Sequence, residues 1–232
     1  MKKLLAFVFS VLLLSGMCSL VKSSIGARGV SYIEDKGSSP LPEGAVAVEW
    51  IESTGSELID TGIVIDDENY VLSIDMVRIA QSTVYFNSTG PQISLNILKT
   101  GLSSNPNNSN FYVAYLRSNS SYFSAPGYTI FSPDNRTRYE LSIGKLVYYR
   151  NESVFYTLTF DGALSGEAVD TIKLCGDGTY IKIYSFWISH NGELIINLIP
   201  VRIGEEGAMY DTVSGEIYRS IGTGTFIVGP DL

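Results

Sequence analysis

Few side chains in this sequence carry reactive chemistry. One histidine and two cysteines cannot assemble a zinc site of His and Cys ligands within one chain. His190 is the single general base of the usual kind, and its place before Asn191-Gly192 reads as the exposed end of a strand entering a turn. The acidic runs are short. Asp66-Asp67-Glu68-Asn69 is oxygen-rich and is the candidate for calcium, but it lacks EF-hand spacing and reads as a solvated turn, so no cofactor is expected. Glu34-Asp35 lies in a polar lead-in, and Glu205-Glu206 sits beside glycines between strands. Gly222-Thr223-Gly224 lacks the third glycine and the following helix of a dinucleotide loop, and is a turn. No residue earns a catalytic role.

What remains is aromatic. The chain has 15 tyrosines, and Tyr112, Tyr115, Tyr122 and Tyr128 lie in a stretch rich in Ser and Asn, with Tyr148 and Tyr149 following. Aromatic rings stack on the apolar faces of sugar rings, while short polar side chains satisfy the hydroxyls. The competing reading is a set of half-buried core tyrosines. Tyr112 and Tyr115 point to opposite sides of a regular strand. Phe111, Val113 and Tyr115 make the bulkier row, so they are expected in the core. Tyr112 is then the open position, flanked by Tyr122 and Tyr128 from a loop over 119–128. These three are the candidate ligand-binding residues.

The elements that must position them are strands. Leu72, Ile74 and Met76 alternate with polar or smaller residues between Tyr70 and Arg78, and Tyr139, Leu141 and Ile143 do so in the run from Thr137. Phe111 to Leu116 is apolar on both faces. No long window shows apolar positions at helical spacing. Asn191-Gly192 joins Tyr180–Ser189 to Glu193–Arg202 as a type I′ hairpin, and Asp211 to Gly215 makes a bulged turn. Frequent turns and short strands predict an all-β protein, an antiparallel two-sheet jelly-roll sandwich.

Composition bounds the rest. Of 232 residues 45% are hydrophobic and only 17% charged, which supports a packed core and excludes wholesale disorder. A formal charge of −8 excludes nucleic acid as a partner, since its phosphates need a basic patch. Lys2 and Lys3 precede an apolar run from Leu4 to Leu14 and then small residues, the plan of a secretory signal peptide with cleavage expected between Gly16 and Ser24. Removing residues 1–23 removes Lys2, Lys3 and Lys22 and no acid, so −8 becomes −11. The mature chain is expected to carry no transmembrane helix. Cys18 is the lipidation position of a lipoprotein reading, although Met17 and Ser15 depart from the usual residues before an acylated cysteine. Residues 24–45 read as a linker or lead-in, and 46–232 as the domain. Cys175 is then the lone cysteine of the folded part and reads as a small buried residue.

Two stretches carry a family resemblance. Trp50-Ile51-Glu52-Ser53-Thr54-Gly55-Ser56-Glu57-Leu58-Ile59-Asp60-Thr61-Gly62-Ile63 resembles the opening strands of bacterial exported proteins with a concanavalin A-like, laminin-G-like jelly roll. Asn191-Gly192-Glu193-Leu194, Leu198-Ile199-Pro200-Val201-Arg202, Gly207-Ala208-Met209-Tyr210-Asp211 and Gly222-Thr223-Gly224-Thr225-Phe226 resemble their closing half. The matched residues are strand and turn residues, so they speak to fold. The resemblance implies export to the periplasm, cell surface or medium of a bacterium. It also implies a carbohydrate-binding or adhesion module whose partner is a glycan or cell-surface polymer. Glucanases of this superfamily set paired carboxylates on one strand as Glu-x-Asp-x-Glu or Glu-x-Asp-x-x-Glu, and neither spacing occurs here. A non-catalytic role is therefore expected. The alternatives are a structural surface protein with no small ligand and a hydrolase whose carboxylates meet from separate strands.

Overall fold

Alternation along the chain becomes pairing between strands. The structure, a computed structural model, describes residues 40–79, 86–87, 93–98, 110–115, 121–125, 136–142, 145–159, 171–176 and 178–232, all within one unit spanning 36–232. In chain order the first strands are β1 (Ala45–Ala47), β2 (Ile51–Glu52), β3 (Leu58–Asp60), β4 (Tyr70–Arg78), β5 (Phe86–Asn87) and β6 (Ile93–Leu98). Then come β7 (Asn110–Tyr115), β8 (Ser121–Ala125), β9 (Thr137–Ser142), β10 (Lys145–Arg150), β11 (Ser153–Thr159) and β12 (Lys173–Cys175). The last are β13 (Ile181–His190), β14 (Glu193–Ile203), β15 (Glu206–Asp211), β16 (Ile217–Tyr218) and β17 (Ile227–Val228). Among the described residues there is no helix, so none is long and apolar enough to cross a membrane.

The larger sheet runs β11-β10-β9-β4-β13-β14-β15-β16, and the smaller runs β3-β12-β5-β6-β7-β8, with antiparallel neighbours throughout. β3 pairs with β12 in the smaller sheet, and β4 pairs with β13 in the larger. β2, next to β3 in sequence, pairs with β13 in the larger sheet, so one antiparallel ribbon, made of residues 51–60 and 173–183, passes from sheet to sheet. That is how a jelly roll is wound, and it is the fold expected from the alternation.

The core lies between the sheets. Leu72, Ile74, Met76, Tyr139, Leu141, Tyr148, Ile183, Phe186 and Ile188 bury one face of the larger sheet against Ile59, Leu174 and Cys175 of the smaller. The alternate residues of β4, β9 and β13 face outward, as period two requires. Burying a side chain such as Phe186, which is 0% exposed, contributes about 1.5–3 kcal/mol.

The larger sheet forks at one edge of this core. β14 pairs with β13 through Leu198 and then with β1 at Val201 to Ile203, while the first residues of β13 pair with β2. β13 is bulged between Ile183 and Ser185, which opens the gap. β2 also pairs with β17, and Val48 bridges to Asp231, so the first and last described strands close the fork together. Gly229 is required there, because a Cβ would lie 2.8 Å from the Trp50 ring.

The turns explain the register. Asn191 (φ 52°) and Gly192 (φ 80°) make the expected type I′ hairpin. Asn151 (φ 51°) and Glu152 (φ 59°) make a second one between β10 and β11, which lacks a glycine to announce it. Asp211 accepts bonds from the backbone N–H of Asn197, Val213 and Ser214 and from the Ser214 hydroxyl, with Gly215 at φ 81°. The end of the lead-in is tied down by the Tyr210 hydroxyl, which donates to the Pro40 carbonyl at 2.8 Å. The signal peptide, Cys18 and the rest of the lead-in lie outside the described residues.

Candidate functional site

The sequence places its candidate ligand residues on the smaller sheet, and the register defines their positions. Tyr112 opposes Ser124 across β7 and β8, and Ala114 opposes Tyr122. Across β6 and β7, Asn96 opposes Tyr112 and Ser94 opposes Ala114. Opposed residues share a face of a sheet. Tyr112, Tyr122, Ser94, Asn96, Asn110, Ser124 and also Leu98 therefore occupy positions of one face. Leu95, Ile97, Phe111, Val113, Tyr115 and Phe123 occupy positions of the other. One expectation is corrected: Tyr122 lies in strand β8, not in a loop, because Ser121 to Ala125 pairs residue for residue with β7. Tyr128 lies outside the described residues.

A second polar and aromatic surface covers the outer face of the larger sheet. Lys182 Nζ lies 3.7 Å from the centre of the Trp50 ring, and the Arg136 and Arg138 guanidiniums each lie 4.1 Å over Tyr184 and Tyr149. Arg136 donates to Asp75 Oδ2 from Nε at 2.8 Å and from Nη2 at 2.5 Å. Burial alone would lower the Arg136 pKa, but the Asp75 carboxylate outweighs it and holds the guanidinium charged. Tyr149 donates to Glu140 Oε2 at 2.8 Å, and burial plus that carboxylate push its phenol pKa up. In this lattice Trp50, Tyr184 and Tyr149 each lie under a cation, and Asp75, Glu140 and Glu52 are each paired with a base. Sequence reading missed it. The signal was present as aromatic and charged residues at the outward positions of β9, β10 and β13.

His190 stands elsewhere, at the end of β13. Its Nε2 lies 2.8 Å from Asp67 Oδ2, and its ring stacks on Tyr70 with centroids 4.2 Å apart. Tyr70 is pushed up by burial and by Asp66, so it stays protonated and donates to Asp66 Oδ1 at 3.3 Å. Asp67 is held below the usual carboxylate range by the Asn69 N–H and by His190. The cluster clasps the turn at 66–69 to the hairpin at 190–192, where the Asn191 N–H also donates to the Asn69 carbonyl. Among the described residues no group of three His, Cys, Asp or Glu side chains is placed to hold a metal.

Glu57 is the residue whose role sequence reading missed altogether. It is 0% exposed and accepts bonds from the Ser53 hydroxyl, the Thr54 N–H and hydroxyl, and the N–H groups of Gly55 and Ser56. Burial pushes its carboxyl up, and these donors more than reverse that, leaving the pKa below the usual range. The Gly222-Thr223-Gly224 turn packs onto this knot. A Cβ on Gly224 would lie 2.4 Å from Glu57 Oε1. Cys175 sits beside it, and burial pushes the thiol up to about 12, so it is no nucleophile.

The architecture is that of an antiparallel jelly-roll sandwich whose larger sheet carries a polar and aromatic outer surface. A crystal structure of a native heptameric SAP-like pentraxin from Limulus polyphemus is similar over 81% of this chain and 94% of that one, at 11% identity and a TM-score of 0.46. No protein-family model and no curated protein sequence matches the chain.

Proposed function

We propose that this protein is an exported, non-catalytic carbohydrate-binding or adhesion module of the concanavalin A-like, laminin-G-like kind. The observation that carries this reading is the register of β6, β7 and β8. It gives Tyr112 and Tyr122 positions on one face with Ser94, Asn96, Asn110 and Ser124, where Leu98 is the one large aliphatic residue, and gives Leu95, Ile97, Phe111, Val113 and Phe123 the other face. Two aromatic platforms among short polar side chains suit a glycan, whose apolar ring faces stack while its hydroxyls need donors and acceptors. Export rests on residues 1–23, with lipidation of Cys18 as its variant. The absence of the paired-carboxylate spacing favours binding over hydrolysis.

A glycan array probed with the purified chain tests this. Reproducible hits without turnover are expected. Released sugar would make the protein a glycoside hydrolase, and a blank array would make it a structural surface protein. Mass spectrometry from the native host checks export: the expected N-terminus falls between Gly16 and Ser24, and an intact Met1 refutes it.

A further inference from the structure

Trp187 stands apart from the lattice that surrounds it. It is a half-buried outward residue of β13, opposite Ser73 on β4 and Asn197 on β14. Trp50, Tyr184 and Tyr149 on the same surface each lie under a cation. Among the described residues Trp187 has no cation over its ring and no ring beside it, and its indole N–H has no hydrogen-bond partner. That N–H is not among the buried polar atoms, so it is open to a partner from solution. Its neighbours along the outer face of β13 are Ser185 and Ser189, both partly exposed. Asn197 donates through Nδ2 to Thr212 Oγ1 at 2.8 Å, which fixes the amide and leaves its oxygen to accept.

We infer that Trp187 is a stacking platform for an uncharged saccharide, bordered by Ser185, Ser189 and Asn197 as hydrogen-bonding partners. The inference rests on the glycan-binding reading but not on the Tyr112 and Tyr122 face, since it places the sugar on the other sheet. Charge selects the ligand class. Near Trp187, Asp75 is bound by Arg136, and Glu140 is shared by Tyr149 and Arg138. Arg136, Arg138 and Lys182 are each engaged by an acid or a ring, and the chain carries −8 overall, so a uronate or sulfated unit gains little and is repelled. A neutral pyranose needs only an apolar ring and a few dipoles, and the site supplies both.

The experiment titrates the purified chain with neutral glucan and mannan oligosaccharides and with an oligogalacturonate of equal length. The chain has two tryptophans, so in the Trp50→Phe variant the emission of Trp187 alone is read. A saturable shift of that emission with a neutral oligosaccharide is expected. Trp187→Ala should lose about tenfold in affinity and Trp187→Phe should retain most of it, while the melting temperature stays close to the parent's. An unchanged affinity in Trp187→Ala, with loss only in Tyr112→Ala and Tyr122→Ala, overturns the platform and leaves the glycan-binding reading standing. No emission change at saturating sugar overturns it as well, even if the alanine variant does not fold. Tighter binding of the galacturonate overturns the ligand class. No saturable binding by the intact chain overturns the platform and the glycan reading together.

Discussion

Phe186 and Trp187 are adjacent in β13 and sit on opposite faces of the larger sheet. Phe186 is 0% exposed and packs in the inter-sheet core, whereas Trp187 is half-buried among serines and an asparagine. The inner face is held by the packing of aliphatic and aromatic side chains. On the outer face, rings and charges hold one another through Arg136, Arg138 and Lys182. The comparison teaches that residues of similar size and hydrophobicity have different work according to parity. The inner row decides whether the chain folds, and the outer row decides what it can touch.

That division can be broken experimentally. Phe186→Ala should destabilise the protein by about 3–5 kcal/mol in urea unfolding, and Trp187→Ala by less than about 1 kcal/mol. Equal losses would erase the distinction. Glu57→Ala strands several donors at a buried site and should cost roughly 3 kcal/mol. Because the folded pKa of Glu57 is depressed, its stabilising contribution is complete above the ordinary carboxylate range and is lost as pH falls through the folded value. Glu57→Gln should therefore flatten the acid limb of stability against pH.

Smaller effects sharpen the comparison. Asp75 is buried on the outer face and holds Arg136, so Asp75→Asn should cost roughly 1–2 kcal/mol by chemical denaturation. A loss as large as that of Phe186→Ala would show the outer lattice to be as essential as the core. His190→Ala opens a partly exposed clasp and should move the melting temperature by no more than about 3 °C.

Much of the fold was legible because period two is a strong signal when one face is buried. Leu72, Ile74 and Met76, Tyr139 and Leu141, and the Asn191-Gly192 turn all fall where alternation and turn chemistry put them. The hairpin at Asn151-Glu152 was not legible, since a glutamate at positive φ is held by its flanking strands and announces nothing locally. Strand β8 was hidden by its serines, which weaken an alternation that pairing with β7 enforces. The site was less legible than the fold. Glu57 reads as one more polar residue of a turn until Ser53, Thr54 and Gly224 close around it. Trp187 becomes distinctive only when the rings about it are seen to be capped.

The fork in the larger sheet sets a condition on when this fold can form. β2 draws its partners from β13 and β17, the Glu49 N–H donates to the Pro230 carbonyl, and the Gly229 N–H donates to the Trp50 carbonyl. These contacts span most of the domain's sequence, so no partial chain ending before Gly229 can seal the seam. Assembly then follows synthesis of the whole domain, at the slow pace of non-local β pairing.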